Sequence, residues 1–250
     1  MNIYPRLEKL FQQQKVLKVI SGLNNFDHHK VLAVAKAAQA GGASFVDIAA
    51  DTDLIAAVRQ EIALPICVSA VEPELFVEAI AAGADLIEIG NFDSFYAQGR
   101  RFEAPEVLAL TRKTRSLLPN VPLSVTVPHI LSLDEQVQLA EELVKAGADI
   151  IQTEGGTSAI PKHPGTLGLI EKAAPTLAAA TSISPAVEVP VLCASGLSNV
   201  TIPMAIAAGA AGVGVGSAIN QLDSEVAMVA VVRSLVEALA SVRRSSASIS

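Results

Sequence analysis

Short apolar runs alternate with longer segments of helical period along the whole chain. The first apolar run, VLKVISG, begins at Val16, and three later runs carry a proline near their start: LPICVSA, VPLSVTV and VPVLCAS. Four others follow a helix end and a glycine turn: AGGASFVDIA, AAGADLIEIG, KAGADIIQTEG and AAGAAGVGVGS. Eight strands in alternation with helices predict a parallel sheet covered by helices.

The four glycine-turn segments fix which strand side chains face the same way. Aligned on their glycines, they place two carboxylates, an amide and a glycine at equivalent positions, namely Asp47, Glu88, Gln152 and Gly214. The neighbouring positions, such as Val46 and Ile48, are mostly apolar, which is typical of the face under the helices. The polar set is therefore predicted to share one interior layer of a barrel. The next layer toward the mouth is Ala49, Gly90, Glu154 and Gly216, where the glycines are expected to leave space for a ligand.

The predicted fold is α/β: a single (β/α)8 TIM barrel with a short N-terminal helix. A length of 250 residues suits one such barrel. An open doubly wound sheet would carry a GxGxxG turn after the first strand, but that turn is SGLNNFD and the glycines cluster at the last strand instead. We expect the barrel to occupy residues 1–242 and a flexible C-terminal tail to follow at 243–250.

Charge and cysteine usage exclude several classes of function. The net charge of −7 and the pI of about 5.1 oppose binding to nucleic acid or to anionic lipid. Cys67 and Cys193 lie in apolar strands without metal-ligand spacing, which indicates inert core thiols and a reducing compartment. The first residues contain no apolar signal-peptide segment and no later run is long enough to cross a membrane. We therefore expect no nucleic-acid or membrane partner, while a homo-oligomer remains possible.

Lys18 is the first candidate for chemistry, because it lies in an otherwise apolar strand next to the strand of Asp47. An outward lysine would bury its ammonium under helices, so an inward position facing Asp47 or Glu88 is favoured. Two interpretations remain open: a buried ion pair that organises the barrel, or an amine nucleophile or proton carrier. Burial lowers a lysine pKa and a neighbouring carboxylate raises it, and the sequence does not decide between them.

Acid–base candidates follow the fifth and sixth strands. His129 in VTVPHIL lies in a loop at the mouth and is the best placed of the four histidines, although a structural loop histidine is the alternative. Glu154 is the one carboxylate in the layer nearest the mouth. His28 and His29 follow the predicted helix cap Asp27 and are expected to be solvated.

Two long loops are candidate lids. The loop at 91–104 contains aromatic residues and two arginines, so it is predicted to close on substrate, with an arginine meeting a carboxylate or second phosphate, or to contact another subunit. The loop at 154–165 carries Lys162 and His163 at its tip. A simple connecting role is the alternative for both loops.

Glycine-rich turns after the last two strands predict a phosphate site. In barrels of this type the ends of strands seven and eight recurrently bind phosphate through backbone N–H groups. The predicted phosphate-binding residues are Ser195, Gly196, Leu197, Gly216, Ser217 and Ala218. Two such turns at consecutive strands favour this function over a purely conformational role for their glycines.

These turns resemble those of phosphate-binding barrel enzymes, a group that includes indole-glycerol-phosphate, thiamine-phosphate and thiazole synthases. Over its whole length, and in KVISGLNNFD, FVDIAAD, IEIGNFDSFY, SVTVPHIL and IIQTEGG, the chain resembles the cyanobacterial and plastid family called hypothetical chloroplast reading frame twenty-three. This resemblance implies a barrel located in a cyanobacterial cytoplasm or a plastid stroma, and it implies no catalytic assignment.

The preferred hypothesis is an enzyme of lyase, synthase or isomerase type that acts on a small phosphorylated metabolite. Its acid–base or lysine-imine chemistry would use Lys18, Asp47, Glu88, His129 and Glu154, with no cofactor and no metal. The alternative is a non-catalytic protein that senses a phosphorylated metabolite or interacts with partners on a barrel scaffold. Fold analogy alone does not decide between them.

Overall fold

The computed structural model describes residues 4–96, 98–155 and 159–246, with side chains described up to residue 242. Eight parallel strands form a closed barrel in chain order, as predicted from the sequence. The strands are β1 (Val16–Ile20), β2 (Phe45–Ala49), β3 (Ile66–Ala70), β4 (Leu86–Ile89), β5 (Leu123–Val127), β6 (Ile150–Thr153), β7 (Val191–Ala194) and β8 (Gly212–Val215).

Helices cover the barrel on the outside and connect successive strands. They are α1 (Tyr4–Gln12), α2 (His28–Gly41), α3 (Thr52–Glu61), α4 (Pro73–Ala81), α5 (Asp93–Tyr96), α6 (Ala104–Leu117), α7 (Leu133–Lys145), α8 (Gly165–Ile183), α9 (Ile202–Ala207), α10 (Ser217–Asn220) and α11 (Glu225–Ser246). The last helix passes the domain boundary predicted at 242, and the tail residues 247–250 lie outside the described part of the chain. No described helix is both long and apolar enough to span a membrane.

Two arginines fasten equivalent helix-to-strand joints. Arg59 of α3 donates to the carbonyl oxygens of Leu64 and Gly83 at 3.0 Å and pairs with Asp85 at the start of β4. Arg115 of α6 makes the same arrangement two strands further on, where it donates to the Gly147 carbonyl oxygen at 3.0 Å and pairs with Asp149 before β6. Both joints contain a glycine in the left-handed region, at φ +113° for Gly83, where a side chain would be strained. The repeated sequence AGAD is thus a repeated structural unit.

The lower half of the barrel interior is apolar. Alternate strand residues meet there and α1 closes the N-terminal end with Leu7 and Phe11, which confirms the predicted N-terminal helix. The inward strand residues of this layer are Val16, Phe45, Cys67, Leu86, Ile150 and Leu192. Cys67 and Cys193 are both buried free thiols, as expected.

The middle of the barrel interior is polar, which confirms the predicted register. Asp47, Glu88 and Gln152 are all at most 4% exposed, and Lys18 pairs with Gly214 across the β1–β8 seam. The neighbouring residues Val46 and Ile48 lie in the apolar cluster under the helices. Polar residues at these positions therefore share the inside of one closed barrel.

The expectation that interior glycines open ligand space is wrong at Gly90. A Cβ on Gly90 would lie 2.1 Å from Thr126 Oγ1, so this glycine admits the side chain of the neighbouring strand. A Cβ on Gly214 would lie 2.9 Å from the Cβ of Ala194, so that place is also filled by protein. At Gly216 a Cβ would be 3.1 Å from the Ile20 carbonyl, a tight contact, yet this glycine does border the mouth cavity.

Candidate functional site

Lys18 is the centre of the buried polar layer. Its Nζ lies 2.7 Å from Glu88 Oε2 and 3.3 Å from Asp47 Oδ2, and it donates to Gln152 Oε1 at 3.0 Å. Burial lowers the pKa of Lys18, but the charges of Asp47 and Glu88 outweigh it and raise this pKa well above its ordinary value. Burial raises the pKa of Asp47 to about 6 against the opposing charge of Lys18. The geometry therefore favours the ion-pair interpretation of Lys18 over the nucleophile.

Serine and threonine hydroxyls complete this layer. Ser69 donates to Asp47 Oδ1 at 2.6 Å, and Ser124 donates to Glu88 Oε2 at 2.8 Å. Gln152 donates to Glu88 Oε1 at 2.8 Å and to Thr126 at 3.1 Å. The negative charges of Asp47 and Glu88 are thus compensated by the Lys18 ammonium and by neutral hydrogen-bond donors. Carboxylates can stay buried only with such compensation.

A cavity of about 410 Å³ opens above this layer at the C-terminal ends of the strands. Gln152 and Thr126 form its floor, and Lys18, Asp47 and Glu88 are not among the residues that line it. Its lining among the described residues is Ile20, Asn91, Asp93, Ser94, Thr126, Gln152, Thr153, Glu154, Lys172, Ala194, Ser195, Gly196, Gly216, Ser217 and Gln221. The amide of Gln152 therefore separates Lys18 from any ligand in the cavity.

Glu154 and Asp93 are the two carboxylates among the described residues that line this cavity. Glu154 accepts hydrogen bonds from the Asp93 backbone at 2.8 Å, from Tyr96 Oη at 3.3 Å and from the His129 backbone at 3.3 Å. His129 Nδ1 lies 3.0 Å from Glu154 Oε2 and 3.4 Å from Asp93 Oδ1. The structure thus brings together the two predicted acid–base residues, with Glu154 on the cavity wall and His129 packed behind it.

Two groups of this cluster have perturbed proton affinities. The hydrogen bond to Glu154 raises the pKa of His129, against the opposing effect of burial. Burial and the adjacent Glu154 charge raise the pKa of Tyr96, so this phenol remains protonated at neutral pH. Asp93 was not singled out from the sequence, and Tyr96 was singled out only as one of the aromatic residues of the candidate lid at 91–104.

The same cluster has the donor set of a cation site. Asp93, His129 and Glu154 each offer one ligand atom, and these atoms lie within 4.8 Å of one another. From the sequence, Asp47 with Glu88 was the one pair of carboxylates weighed as metal ligands, and no metal was predicted. In the structure Lys18 stands between those two carboxylates, which disfavours a second cation there.

The two glycine-rich turns lie side by side on the opposite wall. Ser195 and Gly196 both have left-handed backbone, at φ +80° and +71°, and together with Gly216 and Ser217 they border the cavity. Ser217 begins α10, whose first N–H groups have no intrahelical acceptor. The side chain of Leu197 is buried in the core, so its contribution to a phosphate site is limited to its backbone, and Ala218 packs beside that core.

Lys172 adds a positive charge that the sequence did not reveal. It comes from α8, lies in the cavity lining, and places its Nζ 3.4 Å from Ser217 Oγ. Its backbone oxygen would be 2.5 Å from a Cβ on Gly196, so the glycine turn and α8 are in direct contact. A lysine in a long helix carries no sequence signal for this role, because its direction depends on how α8 packs.

The candidate lid at 91–104 is anchored by its aromatic residues. Phe92 and Phe102 are fully buried with ring centroids 4.5 Å apart, and Phe95 packs edge-on against Phe102 at 5.4 Å. Arg100 stacks on the Phe102 ring at 4.4 Å and pairs with Glu106 at 3.3 Å. Arg100 is therefore engaged by its own loop and by α6, and a ligand contact by an arginine of this loop stays a prediction for Arg101.

The second candidate lid is described only in part, because 156–158 lie outside the described residues. At its tip, His163 Nδ1 lies 2.6 Å from Glu171 Oε1, and the Lys162 backbone donates to Glu171 at 2.7 Å. The tip is thus tied to α8. His28 and His29 are exposed in the first turn of α2, which Asp27 caps, as expected.

Fold and site together define a (β/α)8 barrel with a polar cavity at the C-terminal ends of its strands. The chain belongs to the family described as "Protein of unknown function (DUF561)", which it matches over residues 1–245. It is 47% identical over 225 residues to "Uncharacterized protein ycf23" of Cyanophora paradoxa, covering 90% of this chain and 92% of that one. The protein of the same description from Porphyra purpurea is 40% identical over 241 residues, covering 96% and 91%. The predicted family is confirmed.

Solved structures with the same fold are more distant in sequence. A 3-hexulose-6-phosphate synthase has a TM-score of 0.64 at 21% identity, covering 89% of this chain and 99% of its own. Thiamine phosphate pyrophosphorylase from Pyrococcus furiosus has a TM-score of 0.60 at 19% identity, covering 92% and 98%. (S)-3-O-geranylgeranylglyceryl phosphate synthase from Thermoplasma acidophilum, in complex with sn-glycerol-1-phosphate, has a TM-score of 0.59 at 14% identity, covering 93% and 97%. At these identities the likeness shows the fold alone.

Proposed function

We propose that this protein is an enzyme that binds a small phosphorylated metabolite in the mouth cavity and transfers a proton on it. The observation that carries this proposal is the composition of one cavity. One wall consists of the Ser195–Gly196 and Gly216–Ser217 turns with Lys172, and another presents the carboxylate of Glu154. The names of the similar structures above each contain a phosphate ester, which agrees with this class of ligand.

The proposed phosphate position lies between the two turns. Backbone N–H groups at the start of α10 and in the left-handed turn at 195–196 suit the oxygens of a phosphate, and Lys172 supplies the opposite charge. Asn220 holds α10 in place by donating to the Ile20 carbonyl at 2.8 Å. A phosphate bound there leaves the rest of the ligand in the same cavity as Glu154.

The proposed proton acceptor is Glu154, with His129 as its positioning partner. Glu154 borders the cavity and its carboxylate is fixed by four hydrogen-bonding contacts, so it is held in one orientation. With Glu154 ionised, His129 Nδ1 carries a proton and donates it to Oε2, so the proton taken from a ligand resides on the Glu154 carboxylate. Lysine-imine chemistry is disfavoured, because Lys18 is paired and lies below the cavity floor.

The second candidate function is a non-catalytic sensor of phosphorylated metabolites. The seclusion of Lys18, Asp47 and Glu88 under Gln152 favours it, because three of the five candidate catalytic residues then serve the fold. For either function we expect a location in a plastid stroma or a cyanobacterial cytoplasm. The relatives reported above, from Cyanophora paradoxa and Porphyra purpurea, agree with a plastid origin.

Titration with inorganic phosphate and glycerol phosphate tests the binding site. Ser217→Asp places a carboxylate at the first turn of α10, where it suits the helix but repels an anion, and Ser217→Asn is the neutral control of similar size. We expect roughly tenfold or greater weakening with Ser217→Asp and little change with Ser217→Asn. Equal affinity in both folded variants would refute the phosphate site.

Solvent deuterium exchange separates the enzyme from the sensor. Phosphorylated hydroxyketones and sugars are incubated in deuterated water and followed by proton NMR, which reports proton abstraction even without a complete reaction. For an enzyme we expect exchange that Glu154→Gln abolishes while phosphate affinity is retained. Binding of the same panel without exchange in the unmodified protein would favour the sensor.

A further inference from the structure

A second cavity lies at the mouth of the barrel, over the half that the phosphate turns do not occupy. Its volume is about 190 Å³, and its lining comes from the segments that follow β1, β2, β3 and β4. The lining residues are Leu23, Asn24, Phe26, Ala50, Ser69, Ala70, Val71, Glu72, Leu75 and Phe95. Seven of these ten side chains are apolar, in contrast to the polar walls of the first cavity.

Two of the apolar side chains are left open to solvent. Phe26 in the β1–α2 loop is 57% exposed, and Leu75 in the first turn of α4 is 36% exposed. A large aromatic side chain exposed at a concave site costs hydration free energy that a bound apolar group would recover. Leu23 and Phe95 supply the sides of the same recess.

Helix α5 is the shared wall between the two cavities. Its residues Asp93 and Ser94 line the first cavity, and the next residue, Phe95, lines the second. The interior side chains also link them, since Ser69 lies in the floor of the second cavity and bonds Asp47 of the polar layer. Both cavities therefore rest on the same barrel interior and open at the same end.

We propose that the second cavity is a subsite for an apolar portion of the phosphorylated ligand. The substrate class is then an amphipathic phosphate ester, with its phosphate at β7 and β8 and a hydrocarbon or aromatic group against Phe26, Leu75 and Phe95. Eight tilted strands spaced about 4.8 Å apart make a barrel about 15 Å across, so a ligand roughly 10 to 15 Å long spans both cavities. This inference rests on the proposed phosphate site.

A series of n-alkyl phosphates from ethyl to decyl, together with inorganic phosphate, tests the subsite by calorimetric titration. Each methylene that becomes buried strengthens binding about fourfold, so we expect affinity to rise once the chain reaches the second cavity. Phe26→Ser and Leu75→Ser should weaken octyl phosphate roughly tenfold while leaving inorganic phosphate unchanged. Leu117→Ser is the matched control, because Leu117 is the last residue of α6, is 43% exposed and does not line the second cavity. It should change the affinity neither for octyl phosphate nor for inorganic phosphate.

The outcomes separate this inference from the function on which it rests. Loss of binding to inorganic phosphate and to every ester refutes the phosphate site and the subsite with it. The subsite alone is refuted if phosphate binds but affinity does not rise with the length of the alkyl chain. It is also refuted if Phe26→Ser and Leu75→Ser both keep that rise in affinity. If Phe26 instead contacts a second copy of the chain, Phe26→Ser changes the sedimentation coefficient and leaves the chain-length gain intact, which also overturns the proposal.

Discussion

His129 Nδ1 and Glu154 Oε2 lie 3.0 Å apart, and they come from the ends of adjacent strands, β5 and β6. Glu154 is 5% exposed and His129 is 16% exposed, so this pair is shielded from water at the edge of an open cavity. A proton shared by these groups is held where a ligand can reach the carboxylate.

The pH dependence of stability should report this pair. Because the folded-state pKa of His129 is raised, its contribution to stability is complete below the unfolded pKa and is lost as pH rises through the folded pKa. We expect His129→Gln to lower the free energy of unfolding by about 1 kcal/mol or more at pH 6, and by less at pH 9. Urea unfolding at both pH values measures this loss in the free energy of unfolding, and His28→Gln on the exposed first turn of α2 is the control. Equal losses for His129→Gln at the two pH values would contradict the ion pair between His129 and Glu154.

Removing the buried ammonium should be far more costly than removing an exposed one. Lys18→Met leaves Asp47 and Glu88 without their cation, and we expect a loss of about 3 to 5 kcal/mol in the free energy of unfolding. Lys36→Met breaks an exposed pair with Glu61 and should cost less than about 1 kcal/mol. The loss in Lys18→Met should shrink at low pH, because the stranded carboxyl groups then protonate. Urea unfolding of both variants measures these losses. Similar urea midpoints for Lys18→Met and Lys36→Met would show that Lys18 does not stabilise the fold.

Lys172 should contribute to anion affinity and not to the fold. Lys172→Met removes the charge near Ser217, so we expect phosphate esters to bind roughly tenfold more weakly, with a smaller dependence on salt concentration. Lys113→Met removes a lysine that pairs with Glu74 on the outer surface and serves as the control. An unchanged affinity in Lys172→Met would place the phosphate elsewhere.

Arg115 should stabilise the barrel through its shape as well as its charge. It donates to the carbonyl oxygens of Gly147 and Val121 and pairs with Asp149 at 2.7 Å. Arg115→Lys keeps the charge but loses the fork of donors, and we expect a loss of about 2 to 3 kcal/mol. Arg100→Lys changes an exposed pair and should cost much less. Thermal unfolding of both variants measures the two losses. Equal losses would contradict the stabilising role of the Arg115 hydrogen bonds.

The barrel and its polar layer were predictable because the sequence repeats itself. Equivalent glycine turns fixed the register of β2, β4, β6 and β8, and the cost of burying an ammonium pointed Lys18 inward. The pairing of Lys18 with both carboxylates is a consequence of that register. The two turns that are proposed to bind phosphate were visible because glycine and serine recur after two consecutive strands.

Other parts of the site depend on packing that no local pattern contains. Tyr96 and Asp93 reach Glu154 only because Phe92 and Phe102 fold the loop back onto the barrel. Lys172 reaches Ser217 only because α8 packs beside the Gly196 turn. The space above Gly90 is occupied from a neighbouring strand by Thr126, and such filling depends on the stagger of strands in the closed barrel.

The positions of the interior charges along the chain have a consequence for how the protein assembles. Lys18, Asp47 and Glu88 all come from the first four strands, whereas Gln152 and the β8 seam beside Lys18 come from the second half. A nascent first half therefore holds three charges that stay hydrated on its open side, and the second half brings the walls that remove this water. The charges lose their water only when the second half of the barrel packs against the first. Desolvation is therefore coupled to closure of the barrel, and a half-formed barrel is an unstable intermediate.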